Sequence, residues 1–139
     1  MHKIIMLLLI ISGYLFGDIA IVKKIEGEVV VKRDKKEIPI KAGSSLKVGD
    51  IIMTKSNSAI GIIFDDGSCL SLDSKAIVVI KKFKFKPSTK EYDIDFYLKK
   101  GKAVFSSGEV GKLAPDSLKF RIPTGLIGIR GTKFAVEVK

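Results

Sequence analysis

The stretch "YDIDFYL", residues 92–98, alternates without a break. Tyr92, Ile94, Phe96 and Leu98 fall on one side of an extended chain, and Asp93, Asp95 and Tyr97 on the other. Successive side chains of a β-strand point to opposite faces, so this period of two specifies a strand with one buried and one solvated face. The same period runs through "EVVVKR", "EIPIK", "AIGIIF", "CLSLD" and "KFAVEV", and the turn-rich pieces "KAGSS", "VGD", "DDGS", "KPSTK", "KKGK" and "SSGEVGK" separate them. Beyond residue 17 no segment keeps a helical period for three turns. Short strands at regular spacing with turn chemistry between them predict an all-β single domain of mainly antiparallel strands. A sandwich or roll is expected, with a compact β-solenoid as the alternative.

Two details follow from parity. In "IGIIFDDGSCLSL" a two-residue turn at Asp66-Gly67 would set Ile62 and Phe64 on the face opposite Leu70 and Leu72. A three-residue loop, Asp65-Asp66-Gly67, pairs Ile62 with Leu70 and Ile60 with Leu72 and brings all five apolar residues to one face. That loop suits a type I turn closed by a left-handed glycine, and it leaves Cys69 and Ser71 on the other face. In "AIVVIKKFKFKP" the run Ala76 to Ile80 is apolar on both faces, as in a covered central strand, and Phe83 and Phe85 then alternate with Lys84 and Lys86. The change of phase predicts a bulge near Lys81, and Pro87 ends the strand. "IEGEVVV" and "KKGKAVF" form a short echo, a glycine followed by an alternating run, too brief to establish a repeat.

The chain begins "MHKIIMLLLIISGYLFG": a basic start, an apolar run from Ile4 to Ile11, then the small residues Ser12, Gly13 and Gly17. This is the order of a signal peptide, and the apolar run is shorter than the about 20 residues of a transmembrane helix. The expected division is 1–17, signal peptide, and 18–139, one domain, long enough to bury about two-thirds of its surface. The product is then periplasmic or secreted. An uncleaved segment would instead anchor it in the inner membrane facing the periplasm, the one case in which a membrane is a partner. The single cysteine, Cys69, cannot form an internal disulfide and is expected as a small buried apolar residue.

The formal net charge is +10, and only Arg33, Arg121 and Arg130 are arginines. A lysine-rich surface keeps strand edges unpaired. Export and the absence of an arginine–aromatic stacking platform argue against nucleic acid. The only histidine, His2, lies in the first segment, so no histidine-based triad or metal site is expected in the mature chain. A lone cysteine makes no thiolate zinc site, and no phosphate-binding glycine loop is present. The carboxylate pairs Asp65/Asp66 and Asp93/Asp95 are the remaining candidates for a hydrolase. The first pair sits in a turn, where Asp is favoured for local bonding; the second shares the outer face of its strand. A non-enzyme without cofactor is expected, and a small carboxylate-dependent hydrolase is the least favoured alternative.

The chain resembles a family. "LKVGDIIMTKSNSAIGIIFDDGSCLSLDSKAIVVI" is similar to the FecR-type domain in its "GD-x-I-x-T" opening, apolar strand and "DGS-x-L-x-L" element. "IPTGLIGIRGTKFAVEV" resembles the closing "RGT-x-F-x-V" strand, with Pro123-Thr124 in place of "TP", and "GEVVVKR" resembles the opening strand. The resemblance spans about residues 20–139. It implies an extracytoplasmic all-β module, which in iron-transport regulators receives a signal from an outer-membrane receptor. Only Met1-His2-Lys3 precede the apolar segment, so control of a sigma factor through a cytoplasmic segment is not expected to carry over.

Within that closing stretch Arg130 stands between Gly128-Ile129 and Gly131-Thr132. Arginine keeps its charge in any protein environment, so an apolar setting obliges it to find acceptors. One reading makes Arg130 a plug of the turn before the last strand, donating to carbonyls and to Asp50 or Asp66, beside Gly67. The other makes it a partner-binding residue at a strand end. The lysines 81, 82, 84, 86, 99, 100 and 102 (Lys81, Lys82, Lys84, Lys86, Lys99, Lys100 and Lys102) are read first as edge protection and second as an anion-binding face. The expected function is a non-enzymatic exported module that binds or senses in the cell envelope through contact with an unidentified envelope protein. A lysine-mediated binder of anionic envelope polymer is the alternative.

Overall fold

The computed structural model describes residues 17–127 and 133–139. Among them are twelve strands: β1 (Asp18–Glu26), β2 (Val29–Arg33), β3 (Lys36–Ile38), β4 (Ser45–Lys47), β5 (Ile51–Thr54), β6 (Ala59–Phe64), β7 (Cys69–Leu72), β8 (Ile77–Lys86), β9 (Glu91–Ser106), β10 (Leu118–Ile122), β11 (Gly125–Ile127) and β12 (Lys133–Val138). One five-residue helix, α1 (Glu109–Leu113), interrupts them. The strands form one curled sheet in the order β3-β2-β5-β8-β9-β7-β6-β1-β4, a half-barrel, with β10 and β12 also on β9 and β11 on β10. Every pairing is antiparallel except β9 with β10. The fold is the expected all-β domain in its roll form.

The β6–β7 hairpin has the register that parity requires. Ile62 pairs with Leu70 and Ile60 with Leu72, and Gly67 closes the three-residue loop at φ 88°. Ile60, Ile62, Phe64, Leu70 and Leu72 are all buried. Ser71 is exposed and Cys69 only half-buried, because no second described layer covers their face. The expectation of a buried thiol is corrected accordingly.

Curvature comes from bulges. The register slips by one residue at Lys23 in β1, at Lys81 in β8 and at Lys99 in β9. An inserted residue bends a strand and tightens its twist. Each of the three is an exposed lysine, which can leave the ladder without desolvating its charge. The bulge at Lys81 stands where the phase change placed it, and a short 3-10 turn, Pro87–Thr89, follows β8. The run Ala76 to Ile80 is covered on one face rather than two: Ala76, Val78 and Ile80 are buried, while Ile77 and Val79 are half-buried.

β9 is the axis. Its first half pairs with β8, and its second half with β7 and β12. Phe96 and Phe105 lie nine positions apart, an odd number that would put them on opposite faces of a regular strand. Both are fully buried, with ring centroids 5.6 Å apart. The bulge at Lys99 and the bend at Gly101, φ 94°, reset the phase. A Cβ on Gly101 would stand 2.4 Å from the Cα of Ala76, so only glycine permits the approach. Gly27, between β1 and β2, makes the same kind of corner at φ 72° against Asn57-Ser58. The short echo around these two glycines therefore marks two equivalent corners. The phenylalanines left inside by this folding, Phe64, Phe96, Phe105, Phe120 and Phe134, form a continuous aromatic core.

Candidate functional site

Three buried carboxylates tie the half-barrel together. Asp50, 1% exposed, receives Nε and Nη2 of Arg33 at 2.9 and 2.8 Å and the Lys47 amide at 2.8 Å. Arg33 Nη2 also donates to the Ser45 carbonyl at 3.3 Å. The bidentate fork is the geometry that lets an arginine satisfy a carboxylate away from water, and it raises the Arg33 pKa further, chiefly through that hydrogen bond. Sequence reasoning offered Asp50 to Arg130, which lies outside the described residues; among the described residues the side-chain partner of Asp50 is Arg33, whose place at the end of β2 no local pattern reveals.

Asp66 is buried in the β6–β7 loop. Its Oδ1 accepts the Ser68 amide at 3.0 Å, and its Oδ2 accepts Ser68 Oγ at 2.8 Å and the Val110 amide at 3.3 Å. Its carbonyl accepts the Glu109 amide at 2.7 Å. The "DGS" turn thus holds the first turn of α1, a structural task. Asp65 beside it is exposed, so the two carboxylates do not converge. Asp65 has its pKa raised, by partial burial first and then by Asp18 and Asp66.

The second carboxylate pair is also divided. Asp93 is half-buried on the outer face, but Asp95 is buried at 5% exposure beneath Arg121 of β10, whose Nε lies 3.0 and 3.1 Å from its oxygens. The expectation that Asp93 and Asp95 share a solvated face is corrected: the parallel strand β10 covers one of them. Among the described residues no group of three or more acidic, histidine or cysteine side chains is placed to hold a metal.

Arg130, Gly128, Gly131 and Thr132 lie outside the described residues, while Asp50, Asp66 and Gly67, read with them, serve the frame as above.

The seven candidate lysines do not form one face. Lys82 and Lys84 face carboxylates across the β8–β9 ladder, Lys82 Nζ 3.9 Å from Asp93 and Lys84 Nζ 3.6 Å from Glu91. The nearby Thr89 hydroxyl first, and then the Lys84 cation, hold the Glu91 carboxyl below its usual range. Lys86 continues this row opposite Glu91, and Lys81 lies 5.6 Å from the Tyr97 ring centroid. Two carboxylates, Asp93 and Glu91, thus offset two of the row's four lysines.

Lys100 and Lys102 stand elsewhere, on either side of the Gly101 corner, with Lys99 in the adjoining bulge. The fold adds three lysines that no sequence pattern grouped with them: Lys55 after β5, Lys75 before β8 and Lys139 after β12. Lys55, Lys75 and Lys100 line one recess, and Lys75, Lys100, Lys102 and Lys139 line the next. The frame beneath is rigid. Buried Thr54 donates through Oγ1 to the Asp73 carbonyl at 2.5 Å and accepts the Ala76 amide at 2.8 Å, and the Lys75 amide bonds the Lys55 carbonyl at 3.1 Å.

β12, whose last residues line that second recess, pairs with β9 along its whole length. Its other edge is paired with no described strand. Phe134, Val136 and Val138 point toward the core but are only half-buried, and Ala135 is exposed. The other strands at sheet margins, β3, β4 and β11, are each three residues long, too short to template much pairing. The outer half of β8, Lys81–Lys86, pairs with β9 alone and is equally long, but four of its six residues are lysines, which guard an edge; β12 is the open edge without that protection.

The family model described as FecR protein matches residues 50–139, more than half of the chain. No curated protein and no solved structure matches. The matched stretch contains β12, the "DGS" turn and the Gly101 corner, and begins at Asp50.

Proposed function

The chain belongs to the FecR family, and on that premise we propose that it is a non-enzymatic module exported to the cell envelope, where it senses by holding a protein partner. The observation that carries this reading is the open edge of β12. Alternate residues of this six-residue strand direct their backbone groups to the open side, over a core face that one more strand would cover. Addition of an extended segment to such an edge gives affinity through main-chain bonds and specificity through alternate side chains. One member of each candidate carboxylate pair is engaged in the frame, Asp66 with α1 and Asp95 with Arg121. No helix among the described residues is long and apolar enough to cross a membrane.

Capture of the tagged full chain from envelope fractions, without cross-linking, tests the proposal. A discrete protein that stays bound at high salt is the expected result, since main-chain and apolar contacts are little screened. Recovery of the chain alone would contradict it.

A further inference from the structure

Ion pairing sorts the lysines of this protein into two kinds. Among the described residues the salt bridges engage Lys24, Lys47, Lys82 and Lys84, together with Arg33 and Arg121. None of Lys55, Lys75, Lys100, Lys102 and Lys139 is among them, though all five are exposed and gather at one corner. Among the described residues two carboxylates share that corner, Asp73 and Glu137, the latter directly across from Lys102, and five lysines leave it a positive excess.

Two features of the corner narrow what it would take. The lysines line two recesses, of about 250 and about 320 Å³, which share Lys75 and Lys100. A flat bilayer would not reach into them, whereas a single chain would run from one to the other. The exposed large apolar residues, Ile21, Val48, Leu113 and Leu126, are all outside the corner, so nothing there would insert among lipids. The cations are lysines, compact charges without the planar fork that reads one phosphate or carboxylate bidentately. They suit a repeating charge held by attraction and not by a stereospecific grip.

We propose that the Gly101 corner is a binding site for a linear, soluble polyanion, a polymer bearing a carboxylate or phosphate on each repeat, held by Lys55, Lys75, Lys100, Lys102 and Lys139. The five lysines are not residues of β12, although Glu137 and Val138 of that strand line the second recess; the test needs no protein partner, so either proposal stands or falls without the other. The corner also replaces the row on β8 as the anion-binding face, since among the described residues two of that row's four lysines are ion-paired and none of the corner's five is.

The test is calorimetric titration of the full chain with polygalacturonate and with inorganic polyphosphate, the two probes separating carboxylate from phosphate as the preferred group. Binding should weaken steeply with added salt. Lys75→Gln with Lys100→Gln should lower affinity about 30-fold, at about fivefold per lysine beside an anionic surface. Lys55→Gln with Lys102→Gln should act similarly, and serves if the first pair perturbs the corner. Lys82→Gln with Lys84→Gln removes the same charge from the row on β8 and should change affinity within about twofold. Equal losses for corner and row pairs would reduce the effect to net charge and overturn the proposal. So would binding of neither polymer, or binding only to phosphatidylcholine vesicles containing phosphatidylglycerol.

Discussion

The Arg33 guanidinium grips the buried Asp50 carboxylate with both Nε and Nη2, at 2.9 and 2.8 Å, joining the end of β2 to the start of β5. The side chain of Arg33 keeps 27% exposure and that of Asp50 only 1%. Truncating the arginine would leave the carboxylate with one backbone donor, the Lys47 amide. Arg33→Ala should therefore cost about 3 kcal/mol, the lower end of the range for breaking a buried pair, read as a lower urea midpoint at unchanged slope. Arg33→Lys should recover only part, because lysine lacks the fork.

Asp66 joins the "DGS" turn to α1 by three side-chain bonds. Asp66→Ala removes both acceptor oxygens while leaving the Ser68 and Val110 amides in a buried setting. A loss of about 2–3 kcal/mol follows. Hydrogen exchange should quicken first at the amides of residues 108–110, and unchanged exchange there would refute the link.

Gly101 and Gly67 separate conformation from space. Both have positive φ, 94° and 88°, but a Cβ at Gly67 would meet nothing within 4 Å, while one at Gly101 would collide with Ala76. Gly67→Ala should cost about 1–2 kcal/mol, the penalty of the left-handed conformation. Gly101→Ala adds overpacking to that penalty and should cost about 3 kcal/mol or more. Equal urea midpoints for the two variants would mean that β9 does not bend against Ala76.

Asp65 gives the pH dependence. Its folded-state pKa lies above the ordinary carboxylate value through partial burial and the nearby Asp18 and Asp66. A raised acid pKa means that ionisation opposes folding. The penalty is absent below the unfolded-state pKa, grows as pH rises toward the folded-state value, and is complete above it. Asp65→Asn should thus raise the urea midpoint at pH 7 relative to the parent. The difference should vanish as pH falls below the ordinary Asp value of 3.8. A difference that grows on acidification would reverse the sign of the argument.

Signal-segment cleavage has its own test. Protein recovered from the envelope should begin near Asp18 by intact mass. Retention of Met1 in membranes would indicate an anchor instead.

What the sequence disclosed was local. Parity and the Asp-Asp-Gly loop settled the register of β6 on β7, and a broken alternation located the bulge at Lys81. The corners at Gly27 and Gly101 were visible only as an echo, because a glycine's freedom does not say what it packs against. The long-range ion pairs were hidden: Arg33 and Asp50 are 17 positions apart, and Arg121 and Asp95 are 26 apart. Their meeting depends on strand order. Asp95 illustrates the limit well, for its alternation marks it as outward and only the parallel partner β10 buries it. The same holds for Lys55, Lys75 and Lys139, which three separate segments deliver to one corner.

The central claim is that a protein partner adds to the open edge of β12, and site-specific photo-cross-linking in living cells tests it most directly. A photoreactive residue at Ala135, exposed on β12, is compared with one at Lys35, exposed in the β2–β3 turn. A discrete cross-linked band from position 135, absent from position 35, is the predicted result. Cross-linking from position 35 with none from position 135 would contradict the account.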